Sequence, residues 1–206
     1  MYAIVEDNNI IQYVNFPKSV VIGDVRYPAK IFQLWSQSEL NAIGIYEVIT
    51  DATNKKDEAY YINSNPIYTF ADGQVTESWG TATAKQLEDS FWTQQDSDDG
   101  DLPDDKEVGD VKVEGLKTQK KKIVKQQASG LLEKTDWHNH KALDDDTYTI
   151  PENVKTYRSN VRTKSNEMET QIDACTNVDE LKALYEYTEQ EDGTITRPLP
   201  EFPKEI

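Results

Sequence analysis

The sequence predicts an α+β protein: a small β-hairpin-rich N-terminal module, an acidic linker, and a C-terminal antiparallel helical hairpin with a short third helix. Three observations carry this. Two hairpin patterns lie within the first eighty residues. Between Gln86 and Asp110 ten Asp or Glu face one Lys (Lys106). Beyond residue 113, apolar residues recur at helical spacing in two long runs. The boundaries read 1–85 for the β-rich module, 86–112 for the linker, 113–187 for the helical module and 188–206 for a Pro-rich extended tail.

The first hairpin is Tyr2-Ala3-Ile4-Val5, a turn at Glu6-Asp7-Asn8-Asn9, and Ile10-Ile11-Gln12-Tyr13-Val14. Asp and Asn tolerate the positive φ that tight turns need. Ser36-Gln37-Ser38-Glu39 is a capping-box pattern for one short helix that Gly44 ends. Ile45 to Ile49 then reads as a strand. Ile67-Tyr68-Thr69-Phe70 and Gln74 to Trp79, joined through Asp72-Gly73, form the clearer second hairpin.

The acidic run Asp96 to Asp105 cannot bury enough apolar surface to offset its ordering entropy, so it reads as a linker. The sign then reverses: seven Lys face two Glu between residues 111 and 134. With Leu116, Ile123, Val124, Ala128, Leu131 and Leu132, this is a basic amphipathic helix ending near Thr135. The acidic segment is expected to lie near the lysines of residues 117–125. Thr149-Ile150-Pro151-Glu152 opens a second helix as a capping box, with Val154, Tyr157, Val161, Met168 and Ile172 as its stripe. Two helices joined by a connection of this length pack antiparallel. A third helix follows Asn177, with Glu180 as cap partner and Leu181, Leu184 and Tyr185 as its apolar face. Arg197 to Phe202 and Pro203 favour polyproline-like backbone.

Apolar residues make up 36% of the 206 residues and the formal charge is −16. Such a surface repels phosphate backbones and anionic lipid, which argues against nucleic-acid and membrane partners. One cysteine, Cys175, excludes an intrachain disulfide. The N-terminal residues lack the pattern of a signal peptide, and no run approaches the length of a membrane span.

Leu131-Leu132-Glu133-Lys134-Thr135-Asp136-Trp137, with Tyr157-Arg158 and Arg162 downstream, resembles the C-terminal region of bacteriophage tail assembly chaperones and tail-fibre assembly proteins. Met1 to Glu6, Leu34-Trp35, Glu39-Leu40 and Gly44 to Val48 resemble the small module that precedes it in such proteins. Val161 stands where the family commonly has Leu, and the Asp-rich connection before Pro151 and the Pro-rich tail depart from the pattern. The resemblance implies a non-enzymatic tail or tail-fibre accessory protein that binds other phage tail proteins as an assembly helper. The alternative is a structural component retained in the virion as a tail, baseplate or fibre-adaptor part. It implies the host cytoplasm during assembly, or the virion tail, as location, and a homo-oligomeric or multi-copy state is compatible with both. It transfers no catalytic residue, and no cofactor is expected.

The residues support a reading of their own. Thr135 or Asp136 can cap the backbone where the first helix stops. Arg158 and Arg162 lie one turn apart within reach of Asp136. Trp137 can cover the open end of the helical hairpin, or can belong to a partner surface. Other constellations weigh less. His138 and His140 beside Asp144, Asp145 and Asp146 have ligand chemistry but no third His or Cys, and read as solvated loop residues. Asp96 to Glu107 has acids near calcium-loop spacing, with the glycine misplaced and Pro103 inside. Lys120-Lys121-Lys122 reads as a solvated helix face rather than a nucleic-acid patch. Cys175 has no base beside it for nucleophilic chemistry.

Overall fold

The computed structural model describes residues 1–206 and is α+β, as the sequence predicts. It divides into two compact units, Met1–Thr83 and Ala84–Ile206.

The first unit is built on a five-stranded sheet. Strands β1 (Tyr2–Glu6) and β2 (Asn9–Val14) form the first hairpin, and its turn residues Asp7 and Asn8 take φ of 48° and 63°. Next come β3 (Val20–Ile22) and β4 (Val25–Tyr27), α1 (Ile31–Leu34), α2 (Gln37–Ala42), β5 (Ile45–Thr50) and β6 (Tyr61–Ile62). The second hairpin, β7 (Ile67–Ala71) and β8 (Gln74–Ser78), precedes β9 (Thr83–Ala84) at the end of the unit. The sheet order is β2-β1-β5-β8-β7, with β5 and β8 parallel. The sheet curls, so that Tyr13 on one edge and Tyr68 on the other bring their rings to 4.9 Å. Curling shields both edges from pairing with other chains.

Side-chain alternation gives the sheet two apolar faces. Ile4, Val14 and Ile45 point one way and pack with Val20, Ile31, Phe32 and Leu40 from the β3–β4 hairpin and the two short helices. Ala3, Val5 and Val75 point the other way, with Tyr46, Val48 and Phe70. Ser36 caps α2 in a full capping box with Glu39. Gly44, at φ +83°, lies where a Cβ would meet the Val5 carbonyl oxygen at 2.7 Å. The β3–β4 hairpin went unread in the sequence, although Gly23-Asp24 between Val-Val-Ile and Val-Arg-Tyr is a hairpin signal.

The second unit opens with the acidic segment, and here the linker expectation meets a different picture. Residues 86–112 hold β10 (Ser90–Phe91), α3 (Gln94–Asp98) and the start of β11 (Val111–Val113), with β10 and β11 paired. Three devices order a segment poor in apolar residues. Thr93 and Asp96 cap α3 reciprocally. Lys112 pairs with Asp96 and lies 4.4 Å over the Trp92 ring. The backbone N–H groups of Leu116 and Lys117, unpaired at the start of α4 (Leu116–Glu133), donate to the carbonyls of Gln86 and Leu87 at 2.9 and 3.1 Å. Asp89 adds bonds from Gly115 N at 2.6 Å and Thr118 Oγ1 at 2.9 Å. The acidic segment thus supplies the cap that Gly115 lacks and places carboxylates at the positive end of α4. Lys117 is buried and pairs with Glu88, as the expected proximity to the lysine face requires.

Helix α5 (Asp136–Asp144) occupies what the sequence suggested was a loop. Helix α6 (Glu152–Ala174) packs against α4 and buries Val154, Tyr157, Val161, Met168 and Ile172, the stripe read from the sequence. Its N-cap is Pro151 with no side-chain cap, so the Thr149 capping box does not form. Ile123, counted in the apolar stripe of α4, is 45% exposed. Helix α7 (Val178–Ala183) is capped by Asn177, and Glu180 accepts from Thr176 N at 2.7 Å. A small hairpin, β12 (Thr188–Glu189) and β13 (Ile195–Thr196), leads to the C-terminal residues. These are extended, as proline predicts, but they dock on the unit: Leu199 is 2% exposed and its N–H donates to Leu184 O at 3.0 Å. No helix is long and apolar enough to cross a membrane.

Candidate functional site

The residues of the Leu-Leu…Thr-Asp-Trp…Tyr-Arg pattern converge where α4 ends, α5 begins and α6 passes. Leu132 supplies the last carbonyl of that region, which Thr135 N and Thr135 Oγ1 both approach, at 3.0 and 2.9 Å. Thr135 leaves helical geometry at φ −114° and ψ 4°, and this separates α4 from α5. The buried guanidinium of Arg158 closes the corner. Its Nη1 donates to Leu132 O at 2.8 Å and to Thr135 Oγ1 at 2.7 Å, and its Nη2 pairs with Asp136 Oδ1 at 2.7 Å. A planar fork with several donors is suited to holding a carbonyl, a hydroxyl and a carboxylate at once. Asp136, first residue of α5, also sits at the positive end of that helix.

The partner expected of Arg158 is therefore in place. Arg162 is not: it is exposed, makes no ion pair with Asp136, and its Nη1 donates to Arg158 O at 3.5 Å. Tyr157 is buried with Ala128 and Val161, and Leu131, Leu132 and Phe202 pack against them. Trp35 belongs to the first unit, where it is half-buried with its ring 5.8 Å from that of Tyr27.

Trp137 does not cover the helical hairpin. It is 54% exposed, and its ring stacks on neighbouring His138 at 3.7 Å between centroids, with Tyr148 at 6.4 Å. The reason is rotational. Asp136 turns inward to Arg158, and the next helical residue points about 100° away from it. His138 Nδ1 meets the Tyr148 hydroxyl, and Lys141 Nζ lies 4.4 Å over the Tyr148 ring. Tyr148 is held by a turn in which Asp145 accepts from Thr147 N and Oγ1 at 3.0 and 2.6 Å. The Thr147 hydroxyl bond, then its N–H, lowers the Asp145 carboxyl below the usual aspartate value. Trp137, His138 and Tyr148 form an aromatic surface held on a fixed frame, a type of surface associated with protein contacts.

The other constellations are engaged elsewhere. His138 and His140 lie on α5, not in a loop, and no group of three or more His, Cys, Asp or Glu side chains is arranged to hold a metal. Asp96 and Asp98, at the start of the calcium-like stretch, lie within α3, and Asp96 is engaged by Thr93 and Lys112. Lys121 pairs with Asp173 at 2.7 Å, Lys122 with Glu114, and Lys120 lies 4.7 Å over Tyr185, so the lysine run is satisfied by its own chain. Cys175 is buried, and burial pushes its thiol up from the ordinary value.

The chain matches no protein-family model, no curated protein and no solved structure.

Proposed function

We propose that this chain is a bacteriophage tail or tail-fibre accessory protein that works by protein–protein binding, in the manner of an assembly chaperone, and not by catalysis. The observation that carries the reading is Trp137: a large aromatic side chain, 54% exposed, on a frame that Arg158 fixes through Leu132, Thr135 and Asp136. A rigid exposed aromatic costs little conformational entropy on binding and is the side-chain type that most often dominates interface energetics. Fibre chains expose strand edges and apolar faces before they assemble, and a small acidic helper can cover them. The sequence pattern supports a tail protein as partner and the host cytoplasm as the place of assembly.

The test is co-expression with a tail-fibre chain from the same phage. Trp137→Ala is expected to lower the soluble yield of fibre and its capture by this protein, with the melting temperature of the isolated chain nearly unchanged. Undiminished capture would remove Trp137 from the contact. Mass spectrometry of purified particles separates helper from component: a stoichiometric amount of this chain would make it a retained part of the virion.

A further inference from the structure

We propose that the β10–β11 ribbon is a docking face for a basic amphipathic segment of a partner protein, with apolar residues along one side and lysine or arginine along the other. The proposal uses other residues than the Trp137 surface and does not depend on it.

The register of the ribbon sets apolar residues side by side. Phe91 of β10 lies opposite Val111 of β11, and Ser90 lies opposite Val113. Directly opposed residues on neighbouring strands stand within side-chain reach, so Phe91 and Val111 form one apolar spot rather than two scattered ones. Phe91, Val111 and Val113 are 41–52% exposed. Val108 is exposed too, and the chain beside it is tied to the ribbon. Gly109 N donates to Trp92 O at 2.8 Å, and Trp92 N to Asp110 O at 2.9 Å.

The ribbon has two strands only. A pair of strands in water is marginal unless a face is covered or a further element is added. Trp92 has its cover within the chain, the Lys112 ammonium over its ring. Phe91 and Val111 stay open to water, on a segment whose position is fixed by the docking of Gln86 and Leu87 onto α4.

Charge selects the occupant. Residues 92–110 join the two strands, and of the seven carboxylates from Asp98 to Asp110 only Asp105 has a cation, Lys106 at 4.0 Å. Asp98 and Asp99 accept from the side-chain amides of Gln94 and Gln95, which leave their charge in place. Asp101, Asp104 and Glu107 are exposed. Glu107 directly precedes Val108, and Asp110 directly precedes Val111. Uncompensated negative charge next to apolar residues works against a second copy of this chain, whose net charge is −16, and against strand pairing at the ribbon's edges. The same charge attracts a cationic partner. Its apolar side removes Phe91 and Val111 from water while its lysines or arginines meet the carboxylates.

The probe is a fluorescein-labelled peptide of lysine and leucine at helical spacing, titrated by anisotropy against the full-length protein. A second peptide, with serine in place of leucine, has the same charge and no apolar side. The lysine–leucine peptide should bind saturably, and the lysine–serine peptide at least tenfold more weakly. Phe91→Ser combined with Val111→Thr should weaken binding of the former tenfold or more. Asp101→Asn, Asp104→Asn and Glu107→Gln together should do the same and flatten its salt dependence. Trp137→Ala should leave it unchanged. On the wild-type protein, amide shifts during the titration should centre on residues 90–92 and 108–113, a readout that requires no variant to fold. Equal binding of the two peptides, binding indifferent to the Phe91 and Val111 changes, loss of binding in Trp137→Ala, or shifts centred elsewhere overturns the proposal. So does a wild-type dimer, seen by light scattering, that Phe91→Ser with Val111→Thr converts to monomer, because a second copy is then the occupant.

Discussion

Arg158 and Trp137 stand close together in the fold and carry opposite expectations. Arg158 is buried, and three groups, the Leu132 carbonyl, the Thr135 hydroxyl and the Asp136 carboxylate, depend on its guanidinium. Arg158→Leu strands them. Because Asp136 is partly exposed, the cost falls below that of a fully buried pair, at about 2–3 kcal/mol. Urea unfolding followed by helical circular dichroism measures it, and an unchanged midpoint would show that the corner is held by packing alone. Trp137→Ala should change stability by less than about 1 kcal/mol, as expected where a side chain is largely exposed. The same two residues show what was legible in the sequence at this scale. The Arg158–Asp136 pair followed from charge and helical spacing. The direction of Trp137 did not, because it depends on α5 starting directly at Asp136, and no start signal in Thr135-Asp136-Trp137 distinguishes a new helix from a turn.

At the scale of elements, the cap of α4 is formed by sequence-distant residues, which is why local pattern reading missed it. Alternation, turn chemistry and helical stripes are local, and they located β1, β2, β5, β7, β8, α2, α4, α6 and α7. The order of residues 86–112 arises from pairing across the segment and from the docking of Gln86, Leu87 and Asp89 onto α4, which composition does not reveal. Gly115 is the sensitive point. A Cβ there would stand 2.3 Å from Glu88 C and 2.5 Å from the carbonyl oxygens of Glu88 and Leu87. These are backbone atoms that cannot rotate away, so Gly115→Ala should displace the acidic segment and speed amide exchange at Leu116 and Lys117. Protection equal to wild type at those two amides would refute the docking. Asp96 gives a pH test within the same segment. The Lys112 ammonium, then the Thr93 hydroxyl and N–H, hold its carboxyl well below the ordinary value of 3.8. With the folded value depressed, the pair's stabilisation is complete above the ordinary aspartate value and is lost as pH falls through the depressed one. At about pH 3 most free aspartates are protonated, and Asp96 should remain charged by side-chain NMR titration. Lys112→Met should move it back toward 3.8.

For the whole molecule, the consequence is where the chain can be divided. The acidic segment 86–112 reads in the sequence as a linker, with the first proteolytic cut expected between residues 93 and 112 and folded modules on both sides. The contacts instead group Ala84–Ile206 together and leave Met1–Thr83 as a unit with its own two-faced sheet core. A fragment of residues 1–83 should therefore melt cooperatively on its own, and a fragment of residues 84–206 should keep the helical signal of the intact chain. A fragment that starts at residue 113 keeps every helix of the hairpin but loses the Gln86 and Leu87 carbonyls, the Asp89 bonds to Gly115 and Thr118, and the Glu88 partner of buried Lys117. Glu88 is largely exposed, so its pair adds little, and most of the loss comes from unpaired backbone donors at the start of α4. Residues 113–206 should be less stable than residues 84–206 by about 2–4 kcal/mol, a large share of the stability of a domain of this size. Equal melting temperatures for the two fragments would return the acidic segment to the role of a linker. A 1–83 fragment that unfolds alone would instead mean that the two units depend on each other to fold.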